Sequence, residues 1–347
     1  MARKPYRVEV SVPSKGNSSY YLVRDVKVKG LKRKVRKYIG SKPPTAAELD
    51  RLRRENAYEM EMRAAKKKAE MSSSFLSTQY ITRDQLVRLE YLRYLYDTFT
   101  DLLTVNEVDY YEKEFEVVYV QGTTAIEGNT LTVKETRDLL VDNIVPPNKQ
   151  LRELNEIQNF RNVARYRNGF KGRVTLEFIR KLHALIMDKI DYESAGTFRR
   201  IDALGITGCE LKLTPALLVE SDLEKLIALY YRNLEKGKNP FEQAVLFHYE
   251  FEMIHPFTDG NGRVGREVLN YMLVRSGYPR MLFLGKDRAR YIGALRLGNE
   301  ERCREMISVF IDIISEQRQG ILDTNLRRVI ENPKKPGQAR LDDFVKT

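Results

Sequence analysis

Cysteine is scarce in this chain of 347 residues, and long apolar runs are missing. The two cysteines, Cys209 and Cys303, cannot form a disulfide framework and lack metal-ligand spacing, so we interpret them as small packing residues. No run approaches the roughly 20 apolar residues that a membrane-spanning helix needs, and no apolar stretch follows the N-terminal charges as in a secretory signal. These absences predict a cytoplasmic protein with no membrane partner.

Acidic residues are scarce near the N-terminus. Residues 1–68 hold 20 Lys/Arg against 7 Asp/Glu, a net charge of +13, while the whole chain carries +12, so the remainder is about −1. Alternating patterns at 6–12 and 20–28, then the run LKRKVRKYIG, predict a small antiparallel sheet. A basic helix is expected from Thr45 to about Lys68. The basic character therefore belongs to this segment alone.

Two interpretations of the basic segment stay open. The charges could simply keep a small sheet soluble, or they could bind nucleic acid or an acidic partner through residues 1–70. The second is supported by tyrosines between the charges, which could stack on bases: Tyr6, Tyr20, Tyr21 and Tyr38.

From about Thr82 the apolar residues recur at helical spacing with few breaks, which predicts a mainly α fold. The interval Arg199–Leu213 breaks this rhythm, and its glycines favour a short β-hairpin between helices. We therefore expect three parts. They are a basic N-terminal segment of sheet plus helix (1–70), a helical domain (71–320) and a flexible C-terminal tail (321–347).

The run HPFTDGNGRVGR lies between two helical segments, so its glycines fall at a helix N-terminus. Unpaired N–H groups there favour an anion, and glycine lets the backbone approach a phosphate closely. Arg263 and Arg266 project from one side of the first turn towards the same anion. Asp259 is placed to bind Mg²⁺, and His255 suits a general base. The run predicts attack by a hydroxyl on phosphorus.

This run resembles the signature of Fic-domain proteins, HPFx(D/E)GNGRxxR, at every fixed position. The resemblance covers roughly residues 82–320. It implies an all-helical core and transfer of AMP from Mg-ATP to a Tyr, Thr or Ser hydroxyl of a protein partner. The protein itself is a further expected target of this transfer.

The resemblance also implies individual roles. His255 would deprotonate the target hydroxyl, Asp259 would hold Mg²⁺, and Phe257 would anchor the loop in the core. The ATP phosphates would be bound by the loop and first helical turn: Gly260, Asn261, Gly262, Arg263 and Arg266. A later segment, YIGALRLGN, resembles the adenine side of the family's site and would place three residues near the base: Tyr291, Ile292 and Asn299.

Two further segments carry weaker resemblances. AGTFRR (195–200) is similar to the stretch before the family's hairpin flap, which docks a target chain and would here comprise Leu204, Gly205, Ile206, Thr207 and Gly208. TTAIEGN (123–129) resembles the inhibitory motif, here on an N-terminal helix of about 106–129. Glu127 would pair with Arg266 and withhold this cation from the γ-phosphate.

The C-terminal run GQARLDDFVKT resembles the peptide by which DNA-processing proteins bind a sliding clamp. Gln338, Leu341 and Phe344 have the required spacing, although Val345 replaces the usual second aromatic residue. A polar tail without a partner is the competing interpretation.

The leading hypothesis is a self-inhibited Fic adenylyltransferase with ATP and Mg²⁺ as cofactors. Alternatives are a Fic enzyme that transfers UMP or removes AMP, or a nucleic-acid-associated or clamp-associated regulator with a nucleotide-gated core. A homodimer is left open. His183 and His248 are interpreted as structural.

Overall fold

A computed structural model describes residues 6–12, 14, 17–202 and 213–332. Their contacts divide them into two compact units. The first comprises the described residues up to Leu76, Thr82–Tyr110 and those from Ile314 on; the second comprises Ser77–Ile81 and the described part of Tyr111–Ile313. Within the described ranges, every helix is too short or too polar to cross a membrane.

The first unit opens with a three-stranded antiparallel sheet in the order β1-β2-β3. The strands are β1 (Arg7–Ser11), β2 (Ser19–Val28) and β3 (Leu31–Gly40). Lys29 and Gly30, both with positive φ, join β2 to β3 in a two-residue turn of the kind that suits a twisted hairpin. One face of the sheet is apolar and packs against the helix Ala57–Ser72. The predicted N-terminal sheet is confirmed.

Three helices complete this part of the first unit: α1 (Ala46–Glu55), α2 (Ala57–Ser72) and α3 (Arg83–Thr100). Thr45 caps α1 as expected, but the single helix predicted up to Lys68 is wrong because the chain breaks at Asn56. The last residue of α2 is held within the first unit. Ser72 is buried and donates a hydrogen bond to Glu90 Oε2 at 2.6 Å.

The second unit is helical throughout its described residues, apart from turns and loops. Its boundaries fall inside α4 and α12. The helices are α4 (Val105–Ile126), α5 (Val133–Arg137), α6 (Leu151–Gly169), α7 (Leu176–Ile186), α8 (Val219–Glu235), α9 (Pro240–Ile254), α10 (Asn261–Arg275), α11 (Arg288–Asn299) and α12 (Cys303–Glu331).

Helices α9 and α10 pack against each other at the centre of the second unit. Both are apolar on most sides, with Phe247 and Phe251 of α9 and Val264 and Val268 of α10 almost fully buried. Because the core surrounds both helices, the six residues 255–260 that connect them are held at both ends.

The mainly α fold with a small N-terminal sheet is confirmed. Helix α12 continues past Gly320, where a flexible tail was expected, because Leu322 and Leu326 are buried at helical spacing. The predicted flap (204–208) and the clamp-like peptide lie outside the described residues. The two compact units do not end at residues 70 and 320, where domain boundaries were predicted. The predicted division into domains stays a prediction.

Candidate active site

The loop between α9 and α10 is shaped by two residues with left-handed backbone. His255 ends α9 with a φ of 50°, and Gly260 starts α10 with a φ of 79°. The Asn261 side chain closes the loop, since it accepts from the Phe257 N–H at 2.8 Å and donates to the Phe257 carbonyl at 2.7 Å. This amide is therefore already engaged in holding the loop. Its predicted contact with phosphate stays a prediction.

His183 of α7 holds the same loop by a hydrogen bond and a ring contact. Its Nδ1 accepts the Gly196 N–H at 2.8 Å, so the ring proton is on Nε2, which donates to the Asp259 carbonyl at 3.0 Å. The ring also stacks on Phe257, with centroids 3.7 Å apart. Burial lowers the pKa of His183 to about 4. The neutral imidazole is thus a structural support, and Phe257 is fully buried where an anchor was expected.

His255 presents a ring nitrogen that nothing in the described chain uses. Its Nδ1 is buried without a hydrogen-bond partner among those residues. Burial lowers the pKa of His255 below its ordinary 6.5. At neutral pH the ring is uncharged and able to accept a proton, as a general base requires.

Arg199 is a residue whose role the sequence did not specify, although it belongs to the AGTFRR segment. Its Nε donates to the His255 carbonyl at 2.7 Å, and its Nη2 donates to the Ile254 carbonyl at 3.2 Å. The Arg199 backbone N–H also donates to the Pro256 carbonyl at 2.8 Å. Arg199 therefore caps the C-terminal end of α9 and holds the backbone of His255.

Arg266 is a buried cation of the site, with a side chain only 1% exposed. Its Nη2 lies 2.7 Å from Glu127 Oε1. Two further hydrogen bonds reach Thr123, because Nε donates to the hydroxyl at 2.8 Å and Nη2 donates to the carbonyl at 2.8 Å. Glu127 and Thr123 belong to the segment Thr123–Asn129, hereafter the inhibitory segment. The contact expected between Glu127 and Arg266 is present; its inhibitory effect stays a prediction.

Glu127 lies against the first turn of α10. A Cβ atom at Gly262 would lie 2.5 Å from Glu127 Oε1, so any other residue at this position would displace the carboxylate. Burial alone would raise the pKa of Glu127, but Arg266 outweighs this and leaves the pKa below its usual value. An ionised carboxylate thus occupies the helix N-terminus where a phosphate was predicted.

Asp259 is held by two guanidinium groups. Its Oδ1 lies 3.0 Å from Arg263 Nη2, and its Oδ2 lies 2.5 Å from Arg152 Nη2. Burial would raise the pKa of Asp259, yet Arg263 and Arg152 lower it. The carboxylate is ionised and 43% exposed, so it remains accessible from solvent.

A second connection joins the segment Thr123–Asn129 to the first turn of α10. Asn129 Nδ2 donates to Glu156 Oε2 at 3.0 Å, and Glu156 Oε1 lies 3.2 Å from Arg263 Nη1. Arg152, Glu156 and Asn129 were not predicted as site residues. Asn129 ends the TTAIEGN run, which could have indicated it, whereas nothing in the local sequence distinguishes Arg152 or Glu156.

The three residues predicted near the adenine differ in accessibility. Tyr291 is buried, and its hydroxyl is 2.9 Å from His248 Nε2; the ring centroid is 5.8 Å from the Arg266 guanidinium carbon. Ile292 is half-buried, and the exposed Asn299 accepts a hydrogen bond from the Tyr249 hydroxyl at 3.0 Å. The buried Tyr291 ring thus lies next to the Arg266 guanidinium group. The contacts of all three residues with adenine stay predictions.

Comparison with known proteins places this site in a class. Residues 173–273 match the sequence profile of the Fic/DOC family. The predicted Fic domain is thereby confirmed, and it contains His255 to Arg266.

Individual proteins are similar to this chain over a longer stretch than the profile covers. The chain is 31% identical to protein adenylyltransferase fic-1 of Caenorhabditis elegans over 192 residues, 54% of this chain and 37% of that protein. It is 31% identical to protein adenylyltransferase Fic of Drosophila ananassae over 208 residues, 58% of this chain and 40% of that protein. The chain therefore spans about two fifths of the length of these relatives.

Solved structures show the same fold. A Fic-1 fragment from C. elegans superposes with a TM-score of 0.62 at 23% identity, covering 81% of this chain and 89% of that one. A Fic-domain signalling protein from Bacteroides thetaiotaomicron gives a TM-score of 0.57 at 24% identity, covering 71% and 99%.

Proposed function

We propose that this chain is a protein adenylyltransferase that transfers AMP from Mg-ATP to a protein hydroxyl and is inhibited by Glu127. The observation that carries the proposal is the ion pair between Glu127 and the buried Arg266 at the N-terminus of α10. A cation and a set of backbone N–H groups suited to a phosphate are present together with a carboxylate that competes for them.

The chemistry follows from the residues of the loop. The target hydroxyl oxygen forms a bond to the α-phosphorus while the bond between that phosphorus and the bridging oxygen breaks, releasing pyrophosphate. The hydroxyl proton passes to the neutral His255, whose backbone Arg199 holds in place. The N–H groups of the first turn of α10 and Arg263 would stabilise charge on the phosphate oxygens.

Magnesium fits the residues at one position. Among the described residues no three His, Cys, Asp or Glu side chains lie close enough to hold a metal, so the protein would offer one carboxylate, Asp259. A single carboxylate completed by phosphate oxygens and water is a usual arrangement for Mg²⁺ in nucleotide sites. When bound, the ion would neutralise phosphate charge. Arg152 would have to release Asp259 first.

Inhibition would act on the γ-phosphate. With Arg266 paired to Glu127, this cation cannot meet the end of the triphosphate, and the carboxylate repels it. ATP would bind with its α-phosphate misaligned, so attack by the target oxygen would be slow. Removing the carboxylate leaves Arg266 in place, because Thr123 still holds it.

The test compares Glu127→Gly with the unchanged protein, using ATP radiolabelled at the α-phosphate. We expect auto-modification to rise about 10- to 100-fold, since a hydrogen bond between charged groups contributes about 1.5–3 kcal/mol. Glu112→Gln is the matched control. Glu112 pairs with Arg280 at 2.7 Å and is as exposed as Glu127, at 37%, but lies in neither the loop nor the inhibitory segment.

The outcomes separate the alternatives. Equal incorporation by Glu127→Gly, Glu112→Gln and the unchanged protein would contradict inhibition by Glu127. Incorporation from labelled UTP in place of ATP would assign a different nucleotide. Loss of label from a pre-modified protein, dependent on Glu127, would assign AMP removal.

A further inference from the structure

One face of the sheet of the first unit is mostly exposed to solvent, although Val23 on that face is buried. Leu22 and Val26 of β2 and Val35 of β3 pack towards α2. Side chains alternate along a strand, so their neighbours project to the opposite side. We name this side the basic face and define it by Tyr21, Lys27, Lys32, Lys34, Arg36 and Tyr38.

The cations of the basic face are only partly neutralised by acids. The hairpin of residues 19–40 holds eight Lys/Arg and one Asp. Glu9 of β1 pairs with Lys34 and Arg36, and Asp25 pairs with Arg7. Those two acids therefore serve three cations, and a positive charge is left over.

The positive charge that is left over includes one cross-strand pair of lysines. Lys27 and Lys32 are directly opposite in the register of β2 and β3, both exposed, and neither has an ion pair within the described chain. Like charges in this position destabilise a sheet. Such a pair is a cost to the free protein that an anionic ligand would remove.

An aromatic pair lies on the same face. Tyr21 and Tyr38 are opposite each other with ring centroids 5.7 Å apart, and Tyr38 is 54% exposed. Along β3, Lys32, Lys34, Arg36 and Tyr38 follow at every second position, roughly 7 Å apart. The face therefore combines a row of cations with a ring that is open to stacking.

We propose that the basic face binds single-stranded nucleic acid, with the lysines and Arg36 on phosphates and Tyr38 stacked on a base. A cationic surface with aromatic side chains is the recognition mode of single strands, where every base has an exposed face. A duplex hides those faces, so it would use the cations without Tyr38. An acidic polypeptide likewise offers no base to the ring.

The experiment uses the full chain and fluorescence anisotropy with a labelled mixed-sequence single strand of about 20 nucleotides. Lys27→Gln/Lys32→Gln should weaken binding and reduce the slope of log affinity against log salt by about 1.4, since each phosphate contact in a single strand contributes about 0.7. Arg51→Gln/Lys66→Gln, on exposed positions of α1 and α2, makes the same change in net charge and should leave the slope unchanged.

Tyr38→Ala tests the stacking contact separately. We expect at least about a fivefold loss of affinity for the single strand. Tyr110→Ala removes a ring of similar exposure on α4 and should have no effect.

Three results would overturn the proposal. They are equal losses for the Lys27/Lys32 and Arg51/Lys66 variants, tighter binding of the matching duplex with no effect of Tyr38→Ala, and binding only to a polyglutamate peptide. The melting temperature of the Lys27→Gln/Lys32→Gln protein checks that weaker binding is not caused by loss of folding. We expect this temperature to rise, because the substitutions remove the repulsion between the two lysines.

Discussion

Two groups of cations in this molecule differ in what neutralises them. At the N-terminus of α10, Arg263 and Arg266 are buried, and each is paired with a carboxylate of the chain. On the basic face, Lys27 and Lys32 are exposed and oppose each other without an acid partner in the described residues.

Burial explains the difference. A buried cation without a partner would cost several kcal/mol, so the fold must supply a carboxylate for it, and a ligand must displace that carboxylate. An exposed lysine is solvated and can remain unpaired at little cost. The first arrangement suits a regulated catalytic site, and the second suits a surface that any suitable anion can approach.

The largest expected effect lies at the buried site. In a Glu127→Gly protein, His255→Ala should lower AMP transfer by about 10²- to 10⁴-fold, because proton removal by a positioned base contributes a factor of that size. Rates from α-phosphate-labelled ATP measure it, with melting temperature and ATP affinity as controls for folding. Undiminished transfer would exclude His255 as the base.

The second effect is on stability in acid. Burial lowers the pKa of His183 to about 4 and of His248 to about 3. The unfolded chain binds protons below pH 6.5 while the folded chain does not, so stability is complete above pH 6.5 and falls as the pH drops towards 4. The loss should be on the order of 3 kcal/mol per histidine.

Denaturant unfolding between pH 7 and 5 measures the first part of this loss, at most about 2 kcal/mol per histidine. Carboxylates with lowered pKa values lose their contribution only below about pH 4.5. Burial raises the pKa of Glu252 to about 8, so its contribution to stability rises as the pH falls and offsets part of the histidine loss in this window. The comparison with a His183 variant isolates the histidine contribution. His183→Asn should show a shallower decline than the unchanged protein. An equal slope would mean that His183 is not buried as a neutral ring.

A smaller effect concerns Arg152. In a Glu127→Gly background, Arg152→Gln should lower the Mg²⁺ concentration for half-maximal transfer about two- to fivefold, because Arg152 and Mg²⁺ compete for Asp259. The pair is about half exposed, so it contributes at most about 1 kcal/mol. Arg302→Gln, an arginine of similar exposure paired with Glu300, is the control. A higher Mg²⁺ requirement would show that Arg152 helps to bind the nucleotide.

The smallest effect lies on the basic face. Lys32→Thr should raise the free energy of unfolding by about 0.2–1 kcal/mol by removing the repulsion from Lys27. Lys34→Thr makes the same change two residues along the strand but breaks a pair with Glu9 at 2.8 Å, so it should stabilise less. Equal effects of the two would assign the gain to strand propensity.

Much of the site was predictable because it is contiguous. The residues from His255 to Arg266 are close in sequence, so a loop followed by a helix start already limits where their side chains can point. The N-terminal sheet was predictable from alternation. The break at Asn56 and the extension of α12 past Gly320 were missed, because helical periodicity specifies the ends of a helix poorly.

The sequence alone determined which residue types the loop combines, a histidine, a carboxylate and a glycine-rich helix start, since these depend on local spacing. It also supplied Glu127 as the partner of Arg266 through resemblance. Only the tertiary structure decided that Arg152 pairs with Asp259, that Glu156 joins Asn129 to Arg263 and that Lys27 opposes Lys32. The reason is physical: packing and strand register bring together residues whose sequence separation carries no information about their distance.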